Sequence, residues 1–113
     1  FIETMIDFRS DTLTTPDAGM RSAISTAVVG DDVFCEDPTV QELEQYVADM
    51  LGMERGLFVP TGTMSNLIAM MIHGQQLFSE IIVGDVSHTS AFEVGGASIV
   101  GRAMLRQLPT NDD

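Results

Sequence analysis

The chain has 113 residues, of which 44% are hydrophobic, and its 17 acidic and 5 basic residues give a net charge of −12. This size and apolar content predict one folded domain rather than a disordered chain. The acidic balance argues against nucleic acid as a partner, because a nucleic-acid-binding surface needs cations to neutralise phosphates. No apolar run approaches the roughly 20 residues that span a bilayer, so we expect a soluble protein without a membrane partner.

Few residues could form a disulfide or bind a metal. Cys35 is the only cysteine, which rules out an intramolecular disulfide and fits a reducing, cytoplasmic compartment. His73 and His88 are the only histidines, and neither has the spacing of zinc ligands, so no metal site is predicted. The chain begins at Phe1 rather than at Met and ends in the polar segment PTNDD, which favours a processed chain or a fragment.

The first half of the chain contains two helical patterns separated by an acidic segment. Residues 17–29 carry apolar side chains four residues apart between a proline and a glycine, which predicts a short helix. Residues 30–36 lack periodicity and are interpreted as a loop. Residues 37–52 predict the clearest helix, because Asp37 or Thr39 can cap its start, its apolar residues share one face, and a glycine ends it.

The second half alternates short apolar runs with helical patterns. Residues 57–59 and 81–83 are apolar runs bounded by turn residues and predict buried strands, and residues 103–108 predict a last strand. Residues 64–72 predict a helix that is buried on most sides, and residues 89–97 predict a helix weakened by two glycines. Parallel neighbours need a helical crossover, so this alternation predicts an α/β fold with a mostly parallel sheet and crossover helices.

Two polar segments follow the predicted strands at the edge where parallel sheets bind ligands. Thr61, Gly62 and Thr63 open a helix, whose free N–H groups and partial positive charge can hold a phosphate. His88 follows the next strand in the segment GDVSH, whereas His73 falls late in an apolar helix and is assigned a structural role. A phosphate at the threonines, with an imidazole over an attached aromatic ring, suggests pyridoxal phosphate. An ordinary turn and a surface histidine are the alternative interpretation.

Four segments carry a family resemblance in a fixed order. They are DFRSDTLTTP (7–16), VGDDVFCEDPTVQELE (29–44), FVPTGTMSNLIA (58–69) and IVGDVSH (82–88). Together they resemble the amino-terminal part of the threonine aldolase family, over most of this chain and about the first third of a family member. The resemblance implies pyridoxal 5′-phosphate as cofactor and the aspartate-aminotransferase-like fold. Residues 1–113 would then be an incomplete amino-terminal part of the cofactor-binding large domain, and a complete member would be a homodimer or homotetramer.

The resemblance also implies roles for single residues. Thr61, Gly62 and Thr63 would bind the cofactor phosphate, and Ser10 would contact the carboxylate of an amino-acid substrate. His88 would stack on the pyridine ring, and whether it also transfers a proton is left open.

Other positions support or depart from the family pattern. Arg9 and Asp11 would organise the segment around the substrate, unless they form only a surface ion pair worth under about 1 kcal/mol. The family often has tyrosine and glycine where this chain has Phe34 and Cys35, and often tyrosine at the position of Phe92.

The largest departure is the absence of lysine. Family chemistry needs a lysine bound covalently to the cofactor and an acid at its ring nitrogen, and by resemblance both lie beyond this chain's end. The expected function is that of the amino-terminal portion of a lyase that cleaves β-hydroxy-α-amino acids, such as L-threonine and L-allo-threonine, to glycine and an aldehyde. The chain alone is expected to be inactive. The alternatives are a non-catalytic remnant that binds a phosphate-bearing ligand or a partner chain, and a truncated piece without a role of its own.

Overall fold

A computed structural model of the chain describes residues 6, 7 and 10–110, which form two compact units divided between Phe58 and Val59. The first unit contains two short 3-10 turns, Asp11–Leu13 and Asp32–Phe34, and the helices α1 (Ala18–Thr26) and α2 (Pro38–Leu51). The second unit contains α3 (Gly62–His73), β1 (Glu80–Gly84), α4 (His88–Ala91), α5 (Gly96–Ile99) and β2 (Met104–Leu108). This alternation confirms the predicted α/β class. Among the described helices, none has the length and apolar character that crossing a membrane requires.

The start of α2 is tied to the segment that precedes it. Asp37 is 8% exposed and accepts the Val40 N–H with Oδ1 and the Gly30 N–H with Oδ2, both at 3.0 Å. Thr39 Oγ1 donates to the carbonyl of Val28 at 2.6 Å. The hydrogen bonds from Val40 and Gly30 hold the pKa of the Asp37 carboxyl below its usual value, because they favour the charged form. The predicted helix cap at Asp37 is therefore confirmed.

Helix α1 is shorter than predicted, since it ends at Thr26 rather than at Val29. Its start is capped by Asp17, whose Oδ1 accepts the N–H of Met20 at 2.7 Å. Ala27 then adopts extended backbone, with φ −57° and ψ 134°. The Gly30 N–H, which would donate to the Thr26 carbonyl if the helix continued to Val29, donates instead to Asp37 Oδ2 at the start of α2.

The acidic loop predicted over residues 30–36 contains the turn Asp32–Phe34 and a left-handed residue, Cys35. Cys35 has φ 57° and ψ 40°, a conformation in which a β-carbon costs roughly 1–2 kcal/mol. Glycine, which the resemblance implies for many family members at this position, would avoid this cost.

No strand forms at residues 57–59, so this prediction is wrong. The Phe58 N–H donates to Glu44 Oε1 at 2.7 Å, and β1 and β2 form the one sheet among the described residues. An apolar run becomes a strand only where another backbone pairs with its N–H and C=O groups. Without such a partner, Leu57 and Phe58 are 70% and 49% exposed.

The sheet of the second unit consists of two parallel strands. β1 and β2 pair in a register that runs from Glu80 opposite Met104 to Gly84 opposite Leu108. The strands predicted at residues 81–83 and 103–108 are therefore confirmed to within one residue at each end. α4 and α5 lie in the crossover between the two strands, as parallel pairing requires.

Two alanines and one methionine form the core of this unit. Ala97, Ala103 and Met70 are 5%, 1% and 9% exposed. A β-carbon on the buried Gly74 or Gly101 would lie 2.7 Å from a backbone carbonyl oxygen. These carbonyls belong to Met70 in α3 and Ala97 in α5, so the two glycines let the chain turn tightly at the end of each helix.

Helix α3 is more exposed than predicted. Met70 is its one buried residue, whereas Met64, Met71 and Ile72 are 44%, 46% and 57% exposed. The apolar spacing correctly predicts the helix. Burial on most sides is wrong for the described residues, because α5 covers only part of the helix surface.

We expect Asp37→Asn to destabilise the first unit at neutral pH and to make it less sensitive to acid. The pKa of Asp37 is lowered in the folded chain, so the carboxylate adds stability above its ordinary pKa, and this is lost as the pH falls through the lowered value. Asparagine keeps one acceptor but has no charge to lose. An acid titration followed by far-ultraviolet circular dichroism measures the difference.

Asp32→Asn is the matched control, because Asp32 is exposed in the same unit and no described residue donates to its carboxylate. It should follow the wild-type curve. If Asp37→Asn loses helix in parallel with the wild type across the acid range, the stabilising role of the Asp37 charge is wrong.

Candidate functional site

The first turn of α3 contains three residues predicted to bind phosphate, Thr61, Gly62 and Thr63, here called the phosphate corner. Thr61 caps the helix: its Oγ1 accepts the Met64 N–H at 3.1 Å, and its carbonyl accepts the Ser65 N–H at 3.2 Å. Within the described part of the chain, no protein group accepts the N–H of Gly62 or Thr63. These two donors lie at the positive end of the helix dipole and are free to bind an anion.

The phosphate corner also has room for a ligand. A β-carbon built on Gly62 meets no heavy atom within 4 Å, and all three residues are exposed. The Thr63 hydroxyl takes no part in the cap and is a further donor. The Thr61 hydroxyl accepts in the cap and can still donate its own proton. The donors of the corner therefore fit a phosphate group.

His88 begins α4, just after the turn that follows β1. Its Nδ1 lies 3.0 Å from Glu93 Oε1, and its side chain is 64% exposed whereas that of Glu93 is 6% exposed. The His88 ring centroid lies 5.4 Å from that of Phe92, with the planes tilted by 41°. One edge of the imidazole is thus held by the protein, and much of the rest is open to a ligand.

Glu93 joins α3 to α4. Asn66 Nδ2 donates to Glu93 Oε1 at 2.7 Å, and Thr89 Oγ1 lies 3.5 Å from the same oxygen. We call these three residues and His88 the Glu93 network. Asn66 is one turn beyond Thr63 on the same helix, so the Glu93 network connects the helix of the phosphate corner to the imidazole of His88.

The hydrogen bonds of this network favour the ionised form of the Glu93 carboxyl. Burial opposes its ionisation, but hydrogen bonds from Asn66, His88 and Thr89, with the charge of His88, outweigh the burial and hold the pKa of Glu93 below its usual value. A buried carboxylate that accepts several hydrogen bonds is a fixed acceptor, so it can orient the imidazole beside it.

The helix predicted over residues 89–97 is two short helices, because the chain turns sharply after Glu93. Val94 and Gly95 have φ values of 51° and 77°. A positive φ at a β-branched residue is sterically costly, on the order of 1–3 kcal/mol. Val94 is 90% exposed, so burial of its own side chain does not offset the cost. The turn leaves the Glu93 carboxylate within hydrogen-bonding distance of Asn66 on α3.

No sequence pattern described above indicates Asn66, Thr89 or Glu93 as a candidate site residue. A signal was present for two of them. Asn66 is a weak helix former at the head of an otherwise apolar stretch, and Glu93 is the only acid in residues 86–110. The hydrogen bond between them could not be predicted from local sequence patterns, since the two residues are 27 positions apart.

Ser10 lies in the first unit and caps the turn Asp11–Leu13. Its Oγ accepts the Thr12 N–H at 3.2 Å and lies 2.8 Å from Thr12 Oγ1. The Glu93 network does not include it. Arg9 lies outside the described residues. Contact of Ser10 with a substrate, and the organising role of Arg9 and Asp11, therefore stay predictions.

Other candidate positions lie apart from the phosphate corner and the Glu93 network. His73 is the exposed last residue of α3. A cavity of about 640 Å³, lined by Met71, Leu77, Ile99 and Arg102 among others, contains none of the predicted site residues. The described residues hold no group of three His, Cys, Asp or Glu side chains that could bind a metal ion.

Comparison with known proteins identifies the family. The family model described as beta-eliminating lyase matches residues 7–113. The chain belongs to the beta-eliminating lyase family.

The probable low-specificity L-threonine aldolase 2 of Arabidopsis thaliana is 45% identical over 108 residues, which are 96% of this chain and 30% of that protein. The low specificity L-threonine aldolase of Escherichia coli K12 is 47% identical over 97 residues, 86% of this chain and 29% of that protein. The predicted resemblance to the threonine aldolases is confirmed.

A relative with a different printed activity shares the same stretch. Alanine racemase TOXG of Cochliobolus carbonum is 41% identical over 106 residues, 93% of this chain and 27% of that protein. The chain spans about 30% of the length of the curated relatives it matches. The comparisons therefore establish membership of the beta-eliminating lyase family, and the reaction is a separate inference.

Thr61→Ala should lower the free energy of unfolding of the second unit by about 1 kcal/mol, because the Met64 N–H loses its acceptor. Urea unfolding measures the change. Thr63→Ala is the matched control, since it removes the same atoms from a hydroxyl that caps nothing, and it should stay within about 0.5 kcal/mol of the wild type. Equal losses in the two variants would contradict the capping role of Thr61.

Proposed function

We propose that the chain is the amino-terminal, phosphate-binding part of a threonine aldolase-type lyase that uses pyridoxal 5′-phosphate. The observation that carries the proposal is the pair of free N–H groups at Gly62 and Thr63, on a helix joined by the Glu93 network to the exposed imidazole of His88. Membership of a family whose members generally depend on this cofactor supports the same conclusion.

The phosphate corner would hold the cofactor phosphate. The N–H groups of Gly62 and Thr63 and the Thr63 hydroxyl supply donors, and the dipole of α3 adds a favourable field for a dianion. The open space over Gly62 supports this assignment, because a phosphate bound by backbone N–H groups must come close to the backbone.

The imidazole of His88 would lie against the pyridine ring. Glu93 holds the Nδ1 edge of the imidazole, so the ring keeps its orientation without a contact to the ligand. When bound, the cofactor supplies an electron sink for the carbanion that carbon–carbon cleavage produces.

The proposed reaction of the whole protein is the reversible retro-aldol cleavage of L-threonine or L-allo-threonine. The β-hydroxyl gives up its proton to a base, the Cα–Cβ bond breaks to release an aldehyde, and the electron pair left on Cα takes up a proton to give glycine. Ser10 would bind the substrate carboxylate. A cytoplasmic location and a homodimeric or homotetrameric assembly belong to the same proposal.

The chain by itself would bind the cofactor without turning over substrate. Its five basic residues are all arginines, so no lysine is present to join the cofactor covalently. Phosphate binding needs only the backbone of α3 and a hydroxyl, so the two properties are separable.

We expect pyridoxamine 5′-phosphate to shift the amide resonances of Gly62 and Thr63 and the ring resonances of His88 in an NMR titration. This analogue keeps the ring and the phosphate and has no aldehyde that could react with the α-amino group of the chain. Pyridoxamine, which lacks the phosphate, should bind roughly tenfold or more weakly, because charge-assisted hydrogen bonds are lost. Thr63→Ala should weaken binding of the phosphate form while leaving that of pyridoxamine unchanged.

Titration with inorganic phosphate and a comparison of affinities make this test more specific. Inorganic phosphate should shift Gly62 and Thr63 without shifting His88, and it should bind more weakly than pyridoxamine 5′-phosphate. Equal affinity for inorganic phosphate and the cofactor analogue would favour the non-catalytic remnant that binds a phosphate-bearing ligand. Equal affinity for pyridoxamine and its phosphate would contradict the assignment of the phosphate corner.

With pyridoxal 5′-phosphate and either L-threonine or L-allo-threonine, the chain should release aldehyde no faster than the free cofactor does. A coupled alcohol dehydrogenase assay measures the rate of aldehyde release, and the free cofactor in the same buffer is the blank. Aldehyde release that rises in proportion to the chain concentration would overturn the argument from the missing lysine.

A further inference from the structure

A single carboxylate oxygen receives three donors in the Glu93 network. Glu93 Oε1 lies 2.7 Å from Asn66 Nδ2, 3.0 Å from His88 Nδ1 and 3.5 Å from Thr89 Oγ1. An ionised carboxylate can only accept hydrogen bonds, so the imidazole nitrogen that faces it must carry a hydrogen. The contact therefore selects the Nδ1–H form of a neutral His88.

We propose that Glu93 and Asn66 are positioning residues that fix neutral His88 as its Nδ1–H tautomer and leave the lone pair of Nε2 directed away from the protein. The proposal rests on the proposed function for its consequence, since Nε2 would then be the nitrogen that accepts a proton or a hydrogen bond at the cofactor.

Burial of Glu93 is what makes the selection strong. Its side chain is 6% exposed, so water does not compete for Oε1 as it would at the surface. A surface carboxylate would exchange its contact with the imidazole for contacts with solvent. The 64% exposed His88 ring is thus oriented from its buried edge.

Asn66 acts on His88 through Glu93. Its amide nitrogen is a donor without acceptor capacity, so it supports the ionised form of the carboxyl. If this donor is removed, burial favours the protonated carboxyl, which can donate to Nδ1. The imidazole would then turn to the opposite tautomer, with hydrogen on Nε2. Asn66 and Glu93 therefore act together to set the tautomer of His88.

The tautomer decides what His88 offers to a ligand. An Nε2 lone pair accepts a proton or a hydrogen bond, whereas an Nε2–H group donates one. Free neutral histidine in water favours the Nε2–H form. The Glu93 network therefore reverses the intrinsic preference of the side chain that the proposed function places against the cofactor ring.

The test measures the tautomer of His88 directly, in the chain without cofactor. Long-range ¹H–¹⁵N correlation spectra of ¹⁵N-labelled protein, recorded where imidazole is neutral, distinguish a protonated ring nitrogen from an unprotonated one. His88 should show a protonated Nδ1 and an unprotonated Nε2. His73, exposed at the end of α3, is the internal reference and should show the pattern of free histidine.

Variants assign the effect to its residues. Glu93→Leu should turn His88 to the pattern of His73, and Asn66→Leu should shift it in the same direction. Glu93→Gln should retain the Nδ1–H form at least in part, because its carbonyl can still accept. Glu80→Leu is the matched control in the same unit, since Glu80 is partly exposed and bonds to Arg106 across the sheet, and it should leave His88 unchanged.

Binding of the cofactor analogue to variants distinguishes this inference from the proposed function. Glu93→Leu should weaken binding of pyridoxamine 5′-phosphate by roughly two- to tenfold, because the ring must be ordered on binding. Thr63→Ala should weaken binding without changing the His88 tautomer. If the wild type shows the Nδ1–H form but does not bind the analogue, the proposed function fails and the tautomer assignment stands.

The inference is overturned if wild-type His88 carries its hydrogen on Nε2, whatever its affinity for the analogue. It is also overturned if Glu93→Leu keeps the wild-type tautomer. The first of these readings needs no variant, so it decides the matter even if a substitution at Glu93 prevents folding.

Discussion

The second unit depends on one buried oxygen, Oε1 of Glu93, on which a side chain from α3 and a side chain from α4 converge. A buried charge is costly unless hydrogen-bond donors surround it. Loss of Asn66 or His88 therefore leaves the buried Glu93 carboxylate with a desolvation penalty that its remaining hydrogen bonds do not offset. This makes the arrangement cooperative. The helix that presents the phosphate corner and the imidazole that would meet the ring share a contact, and neither can move freely without disturbing it.

Two strained residues show how differently the chain uses unfavourable backbone. Cys35 and Val94 both have positive φ without being glycine. The turn at Val94 immediately follows Glu93 and allows its carboxylate to reach Asn66, so its cost accompanies a buried hydrogen-bond network. Cys35 is exposed in an acidic loop and no described contact explains its choice over glycine. The strain at Val94 therefore accompanies the Glu93 network, whereas the strain at Cys35 accompanies no described side-chain contact.

The sequence predicts features whose causes are local. Caps at Asp37 and Thr61 are readable because each side chain bonds an N–H three residues away. The predicted strand at residues 57–59 is wrong because a strand needs a partner that the apolar run does not specify. The predicted end of α1 is wrong because the Gly30 N–H is bonded to Asp37, seven residues further along the chain. Likewise, the helix start at residues 61–63 could be predicted from its turn residues, although the strand predicted before it does not form. The hydrogen bond between Glu93 and Asn66 could not be predicted, since only folding brings the two residues together.

Under the proposed function, cofactor binding and bond cleavage depend on different parts of the protein. A phosphate needs the unpaired N–H groups that any helix start provides, and the specific additions in this chain are the open space over Gly62 and a hydroxyl at Thr63. Bond cleavage needs a covalent attachment that arginine cannot provide. Proteins named as aldolases and one named as a racemase share this stretch at 41–47% identity. That distribution is what separate parts for binding and reaction would produce, because a common platform can hold the same group while residues elsewhere choose the bond that breaks.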